Sequence, residues 1–204
     1  MGQSKQLLPF GDRPAIVHCL ESIVGAGIGN VVVVTGVEGD AVRLAIHRFP
    51  VTVAVNETVG SDMASSVRTG LARINPGSEG VFVYPCDHPL VTSATLEIMI
   101  REFSGGHHKS DWIIIPRYRG RNGHPTLFPR SLIEEIRIVP TLRDVIGNHP
   151  DRVFRPEVND EGIVLGMNSP EDYREVLARF ETGKRDRIVP TGGKAGNVIL
   201  EDAG

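Results

Sequence analysis

The chain has 204 residues, of which 40% are hydrophobic and 23% are charged, and its formal net charge is −3. This length suffices for one domain with a substantial core, and the composition is not that of a disordered protein. The chain shows neither a signal-peptide pattern nor an apolar run that could span a bilayer, and its charge does not favour nucleic-acid binding, so we expect a cytoplasmic protein without membrane or nucleic-acid partners.

Short β-branched runs recur along the chain and predict strands. The first run, residues 31–35, is apolar almost throughout, which is typical of a strand that is buried on both faces of a parallel sheet. The other predicted strands are residues 51–55, 81–84, 112–115, 126–128 and 163–165.

Helical periodicity fills the intervals between these runs. The first predicted helix spans residues 14–24, with Pro14 in its opening turn. Further helices are predicted at residues 40–47, 63–74, 93–103, 130–136, 142–146 and 170–180. Ser169 is the expected N-cap of the last one. Alternating strands and helices predict an α/β protein, a three-layer α/β/α sandwich around a mostly parallel, Rossmann-like sheet.

Two segments depart from this alternation. Residues 121–124 contain Asn-Gly, a strong turn signal, and predict a hairpin-like excursion at the edge of the sheet. After residue 182 the periodicity stops, and glycine and charged residues dominate. We therefore predict one domain over residues 1–182 and a linker-like tail over residues 183–204.

Polar residues that follow predicted strands are the candidate ligands, because open α/β sheets bind ligands at the carboxyl ends of their strands. Asp87 follows the run 81–84 and could hold Mg²⁺, or it could cap a helix. Asn56 ends another run, and Ser65 and Ser66 open the next helix, where amides and hydroxyls could bind an anion or a base edge. An ordinary helix cap is the alternative for these residues.

Basic residues provide a second group of candidates. Lys5 could neutralise triphosphate charge, or it could be a solvated lysine. Arg117, Arg119 and Arg121 alternate, so an extended segment would place them on one face. They could bind a phosphorylated substrate or form a solvated basic edge. His124 could contact a substrate, although a single histidine is more often structural.

Several short blocks occur in the order found in one enzyme family. They are Met1-Gly2-x-x-Lys5-x-Leu7-Leu8-Pro9; Asn56 with Met63, Ser66 and Gly70; Asp87-x-Pro89-Leu90-Val91; Gly123-His124-Pro125-Thr126-Leu127-Phe128; and Met167-Asn168-Ser169-Pro170-Glu171-Asp172. Together they resemble the nucleotidyltransferases of the molybdenum cofactor cytidylyltransferase type, a MobA-like group of NTP transferases. The fourth block is the most distinctive, and the resemblance covers about residues 1–180.

This resemblance implies a Mg²⁺-dependent nucleotidyltransferase of molybdenum cofactor biosynthesis. Such an enzyme would move a nucleoside monophosphate from a nucleoside triphosphate, with CTP favoured, to a phosphorylated molybdopterin-type acceptor and release pyrophosphate. A homodimer is compatible with it. The implied site residues are Lys5 and Asp87 for catalysis; Asp87 and Asn168 for the metal; Asn56, Met63, Ser65 and Ser66 for the nucleotide; and Arg117, Arg119, Arg121 and His124 for the acceptor.

The chain also departs from the family pattern. The family's first strand and glycine-rich phosphate loop, expected just before Met1, are absent. Asp62 stands where the family usually has glycine, and Asn168 stands where it usually has a second metal-binding aspartate. The apolar segment 198–204, which ends in Ala-Gly, could occupy the vacant strand position in its own or a neighbouring molecule.

Two other functions are compatible with these residues. The chain could be another member of the wider group, such as a guanylyltransferase or a terpenoid-precursor cytidylyltransferase, although the block that starts at Gly123 argues against both. It could also be a non-catalytic nucleotide- or cofactor-binding protein, which the departures favour.

Overall fold

The computed structural model describes residues 5–58, 60, 62–105, 109–183 and 197–201. The strands are β1 (Pro9–Phe10), β2 (Arg13–Pro14), β3 (Asn30–Thr35), β4 (Val51–Val55), β5 (Gly80–Pro85), β6 (Ile113–Ile114), β7 (Arg117–Tyr118), β8 (Arg121–Asn122), β9 (Thr126–Pro129), β10 (Val153–Phe154) and β11 (Asn197–Glu201). The α-helices are α1 (Ala15–Gly25), α2 (Asp40–Ile46), α3 (Met63–Leu71), α4 (Ser93–Gly105), α5 (Arg130–Ile133), α6 (Leu142–Asn148) and α7 (Pro170–Gly183). Across this described part, every helix is too short or too polar to cross a bilayer.

Seven strands form the central sheet, in the order β10-β6-β9-β5-β11-β3-β4. β9 is antiparallel to β5 and β6, and all other neighbours in the sheet are parallel. β3 is buried from Val31 to Thr35, as its apolar sequence predicted, because helices cover both faces of the sheet. The predicted mostly parallel α/β fold is confirmed.

The two faces of the sheet have separate apolar cores. Side chains of α1, α2 and α4 pack on one face, which includes Val31, Val33 and Phe82. Side chains of α3, α5 and α6 pack on the other face, which includes Val32 and Val34. Because alternate residues of a strand point to opposite faces, each strand contributes to both cores, and the three-layer sandwich is complete.

The five residues of β11 correct the prediction of a linker-like tail over residues 183–204. β11 lies between β3 and β5 and is parallel to both, and its residues 198–200 are completely buried. Three successive apolar side chains are buried there, and the backbone of β11 pairs with a strand on each side. A linker exposed to solvent would have neither source of stability. The alternative that this segment supplies a strand therefore holds for residues 198–201, within the same chain. Residues 184–196 and 202–204 of the predicted tail lie outside the described residues.

The predicted strand at residues 163–165 is wrong, because Glu161–Val164 forms a 3-10 helix. Asp160 starts this helix by accepting a hydrogen bond from the Gly162 amide at 2.9 Å. The same carboxylate accepts from the amide and hydroxyl of Thr92 at 2.9 and 2.8 Å and from the Thr95 hydroxyl at 2.7 Å. Side-chain capping has overridden the β-propensity of the apolar run.

We expect Asp160→Ala to lower the free energy of unfolding by about 3 kcal/mol, since it leaves several buried donors without an acceptor. Urea unfolding followed by circular dichroism measures this loss. Asp151→Ala, at an exposed position, is the control and should change stability by less than about 0.5 kcal/mol. Equal losses in the two variants would contradict the role of Asp160.

The predicted hairpin is formed by β7 and β8, but its turn is not at Asn122-Gly123. The turn residues are Arg119 and Gly120, with φ values of 48° and 80°. A two-residue hairpin turn needs positive φ at such positions. Because Arg119 lies in the turn, Arg117, Arg119 and Arg121 do not share one face of an extended segment, which corrects that prediction.

Candidate functional site

The order of strands reverses at β11. From β11, the sheet continues through β3 and β4 in one direction and through β5 and the later strands in the other. A ligand crevice forms outside the carboxyl ends of the strands at such a reversal. The end of β11 is aligned with both neighbours, since Glu201 pairs with Val34 of β3 and Pro85 of β5. Asp87 lies two residues beyond Pro85, at this edge of the sheet.

Asp87 is a buried carboxylate, with 6% of its surface exposed. His88 Nδ1 donates a hydrogen bond to Asp87 Oδ1 at 2.6 Å, and Oδ2 has no hydrogen-bond partner among the described residues. Burial raises the pKa of Asp87, but the hydrogen bond from His88, followed by the electrostatic effects of His88, His124 and, least, Lys5, outweighs burial and holds the pKa below its usual range. Asp87 is therefore ionised near pH 7, and Lys5 is close enough to act on it electrostatically.

His88 and His124 lie side by side next to Asp87. Their ring centroids are 4.9 Å apart, with 59° between the ring planes. Burial, followed by the nearby His88, lowers the pKa of His124 to about 4, so its ring is neutral near pH 7. His124 was predicted as a site residue, whereas His88 was missed. The only sequence signal for His88 was a polar residue directly after Asp87.

A second polar group surrounds Asn56, which is 4% exposed. The backbone amide of Asn56 donates to the Thr35 carbonyl at the end of β3, at 2.8 Å, so Asn56 lies at the same edge of the sheet. Its Nδ2 lies 3.0 Å from Ser65 Oγ and 3.5 Å from Ser66 Oγ. Asn56 is thus hydrogen-bonded to Ser65 and Ser66, and these are three of the four residues predicted to bind the nucleotide.

Asp62 caps the helix that follows this group. Its Oδ1 accepts a hydrogen bond from the Ser65 amide at 2.8 Å and lies 3.9 Å from Arg68 Nη2. The Ser65 amide is therefore used within the chain, and the start of α3 matches the alternative of an ordinary cap. The cap also gives Asp62 a structural role at a position where glycine was expected. Met63, the next residue, is 42% exposed.

The segment before α7 packs against Asp87. The Met167 amide donates to the backbone carbonyl of Asp87 at 3.0 Å, and the exposed Asn168 follows directly. Ser169 is the N-cap of α7, as predicted, with reciprocal hydrogen bonds to Asp172 of 2.9 and 3.1 Å. Asn168 is thereby brought to the same edge as Asp87.

The predicted arginines have different surroundings. Arg121 borders a cavity of about 200 Å³ together with Gly166 and Asp172, next to the segment that packs on Asp87. Arg117 donates to the Gly120 carbonyl at 3.1 Å and lies 3.6 Å from a carboxylate oxygen of Glu157. The Arg119 guanidinium lies 5.1 Å from the centroid of the Tyr118 ring.

Within residues that the structure describes, no cluster of three or more histidine, cysteine or acidic residues has the arrangement of a closed metal site. Mg²⁺, however, is usually held by one or two carboxylates together with waters and substrate phosphates. Asp87 is ionised, its Oδ2 accepts no hydrogen bond from any described residue, and Asn168 lies at the same edge of the sheet, so the two residues fit this kind of open site.

The model of the MobA-like NTP transferase domain family matches residues 1–158. Among curated proteins, the bifunctional protein GlmU of Agrobacterium fabrum is 32% identical over 138 residues, which is 67% of this chain and 29% of the GlmU chain. This chain therefore spans less than a third of that relative.

Solved structures share the fold over most of their length. The crystal structure of Rv0371c from Mycobacterium tuberculosis is 29% identical, with a TM-score of 0.73, and the match covers 87% of this chain and 91% of Rv0371c. Another crystal structure of Rv0371c is a complex with manganese. The nucleotidyl transferase Mth528 from Methanothermobacter is 20% identical with a TM-score of 0.75, covers 87% of this chain and 85% of its own, and supports the fold alone.

Proposed function

The chain belongs to the MobA-like NTP transferase family, and from this we propose that it moves CMP from CTP to a phosphorylated molybdopterin-type acceptor in the cytoplasm, with Mg²⁺ as the cation. The predicted enzyme class, nucleotidyltransferase, agrees with the family. The nucleotide, the acceptor, the cation and a homodimeric state belong to the proposal.

The observation that carries the proposal is the position of Asp87. This ionised, buried carboxylate lies at the carboxyl edge where the strand order reverses, and its Oδ2 accepts no hydrogen bond from the part of the chain that the structure describes. Lys5 lies close to it and supplies a positive charge, and Asn56 lies at the same edge, at the end of β4. A negatively charged triphosphate with a divalent cation is the ligand that suits this combination of charges.

The proposed reaction is an in-line displacement at the α-phosphorus of the nucleotide. A phosphate oxygen of the acceptor forms the new P–O bond, and the bond from the α-phosphorus to the oxygen that bridges to the β-phosphorus breaks, so that the electron pair leaves with pyrophosphate. The cation, when bound, would neutralise charge on the phosphates. Asp87 would hold the cation, and Lys5 would stabilise the triphosphate. Asn56, Ser65 and Ser66 would contact the nucleoside.

The acceptor side is assigned to His124 and Arg121. His124 presents a neutral ring next to His88, and Arg121 borders the cavity beside Gly166, where a phosphorylated acceptor would meet a guanidinium. The sequence from Gly123 to Phe128 favours the molybdopterin-type acceptor over a guanylyltransferase substrate by resemblance. The internal capping of α3 by Asp62 and the uncharged Asn168 are the observations that favour a non-catalytic binder.

Calorimetric titration with CTP, GTP and ATP, each with Mg²⁺, tests the donor. We expect CTP to bind most tightly, and we expect pyrophosphate release only when a phosphorylated molybdopterin acceptor is added. Tight GTP binding with release would replace the proposal by a guanylyltransferase. Binding without any release would support the non-catalytic alternative, and no binding by the folded chain would exclude both the transferase and a nucleotide-binding role.

Lys5→Gln is expected to weaken CTP binding roughly tenfold or more and to leave cytidine binding unchanged. The reason is that one charge-assisted contact contributes about 1.5–3 kcal/mol and that only the triphosphate can make it. Arg48→Gln is the control, because Arg48 precedes β4 and therefore lies at the opposite, amino edge of the sheet. Equal losses for CTP and cytidine would contradict a phosphate contact by Lys5.

A further inference from the structure

His88 contacts Asp87, Tyr84 and His124, and the proposed reaction gives it no role. Its ring nitrogen Nδ1 donates to Asp87 Oδ1 at 2.6 Å, and its backbone carbonyl accepts from the Tyr84 hydroxyl at 3.0 Å. Its ring also lies 4.9 Å from that of His124. With 7% of its surface exposed, His88 is fixed by packing rather than free to swing into solvent.

We propose that His88 is a positioning residue that fixes the Asp87 carboxylate with Oδ1 turned toward the protein and Oδ2 presented to the cation. This inference rests on the proposed function, since it assigns a role at the same metal site. His88 does not itself touch the substrate in this proposal.

The physical reason lies in the geometry of a carboxylate. Rotation of the Asp87 side chain would exchange its two oxygens or bring both toward a cation. A short hydrogen bond to a charged acceptor strongly favours one orientation, and it occupies Oδ1. A cation then meets a single, pre-oriented oxygen. Hydrogen bonds to metal ligands of this kind are typically responsible for 10–100-fold in metal affinity or activity.

Gly166 shows why the ring can take this position. A Cβ atom at residue 166 would lie 2.9 Å from His88 Cε1 and 3.1 Å from Nε2, closer than side chains pack. It would also lie 3.3 Å from Asn168 Nδ2. The imidazole of His88 therefore packs directly against the backbone of Gly166. Gly166 belongs to the same segment as Asn168, the second predicted metal ligand.

The test is direct Mn²⁺ binding to the full chain, measured by electron paramagnetic resonance without nucleotide and again with CTP. His88→Leu fills similar space without a donor, and we expect it to raise the Kd for Mn²⁺ 10–100-fold. His88→Asn places an amide nitrogen near the position of Nδ1, and we expect it to restore most of the affinity. The matched control is His149→Leu, because His149 Nε2 donates to Glu135 at the same 2.6 Å in a different part of the molecule. We expect it to leave the Kd unchanged.

A second variant displaces the imidazole of His88 without replacing His88 itself. Gly166→Ala should displace the imidazole and raise the Kd for Mn²⁺ several-fold, and it should have a smaller effect when it is combined with His88→Asn, whose side chain is shorter. This variant keeps the inference testable if His88→Leu does not fold.

The outcomes separate this inference from the proposed function. Loss of Mn²⁺ binding in Asp87→Asn with normal binding in His88→Leu would overturn the role of His88 and leave the function in place. Equal losses in His88→Leu and His88→Asn, in folded protein, would also overturn it, since packing rather than the donor would then matter. Unchanged Mn²⁺ binding in Asp87→Asn would overturn the proposed metal site and this inference together.

Discussion

Replacing Ile199 with aspartate is expected to unfold the chain under conditions in which the unsubstituted protein is folded. Ile199 is fully buried at the centre of β11, where it pairs with Val32 and Val83 on the two neighbouring strands. Loss of its packing and burial of a carboxylate together should cost at least about 4 kcal/mol, which is comparable to the whole stability of many domains.

Urea unfolding followed by circular dichroism measures this loss, and Ile138→Asp provides the matched control. Ile138 is 86% exposed, so the same chemical change there should alter stability by less than about 0.5 kcal/mol. A folded Ile199→Asp protein with normal stability would show that β11 is not part of the sheet in solution.

The contact between Gly70 and Ile199 allows a finer test of the same strand. A Cβ atom at residue 70 would lie 2.7 Å from Ile199 Cγ2, so α3 approaches β11 through a residue without a side chain. Gly70→Ala should cost about 1–3 kcal/mol through overpacking. When it is combined with Ile199→Ala, the two losses should be less than additive, because the truncated side chain makes room for the new methyl group. Strict additivity would argue against this contact.

Changing Asp87 to asparagine is expected to lower kcat of the proposed transfer reaction by at least about 100-fold, because it removes the buried negative charge that would hold the cation. Asparagine has nearly the same shape and can still accept the hydrogen bond from His88 Nδ1. The fold should therefore be retained, and the loss should be specific to metal binding and turnover.

Steady-state pyrophosphate release with saturating CTP measures this effect, and Asp151→Asn is the control at an exposed position. We expect higher Mg²⁺ concentrations to restore only part of the activity. An Asp87→Asn enzyme that keeps nearly full turnover would contradict the role of Asp87, whatever the affinity of the chain for nucleotide.

Local sequence patterns determined much of the architecture and the position of the site. The continuous β-branched run of β3 predicted a strand with both faces buried, and the structure confirms it. Asp87 and Asn56 were placed correctly at the carboxyl edge, because each directly follows a recognisable strand and parallel strands end on the same side. Patterns of this kind depend on residues that are close in sequence, so one chain suffices to detect them.

The local environment of particular side chains needed the three-dimensional structure. Asp62 is a helix cap because the Ser65 amide is within its reach, and Arg119 lies with Gly120 in the turn between β7 and β8, where both residues have positive φ. His88 was missed because its proposed role depends on several partners, of which Asp87 and Tyr84 are near in sequence, whereas His124 and Gly166 are distant. The periodicity of a sequence does not indicate which distant residues will contact one side chain.

The sequence by itself determined that the chain alternates strands and helices, that its sheet is mostly parallel, and that an acidic residue lies at the carboxyl edge of that sheet. Only the tertiary structure decided that Asn197–Glu201 is the strand at which the order of the sheet reverses. The physical reason is that an apolar run shows that a strand will be buried but does not specify its neighbours. Val198 pairs with Val31 and Phe82, far away in sequence, because the hydrogen bonds and the apolar surfaces of β3 and β5 are satisfied by a strand between them.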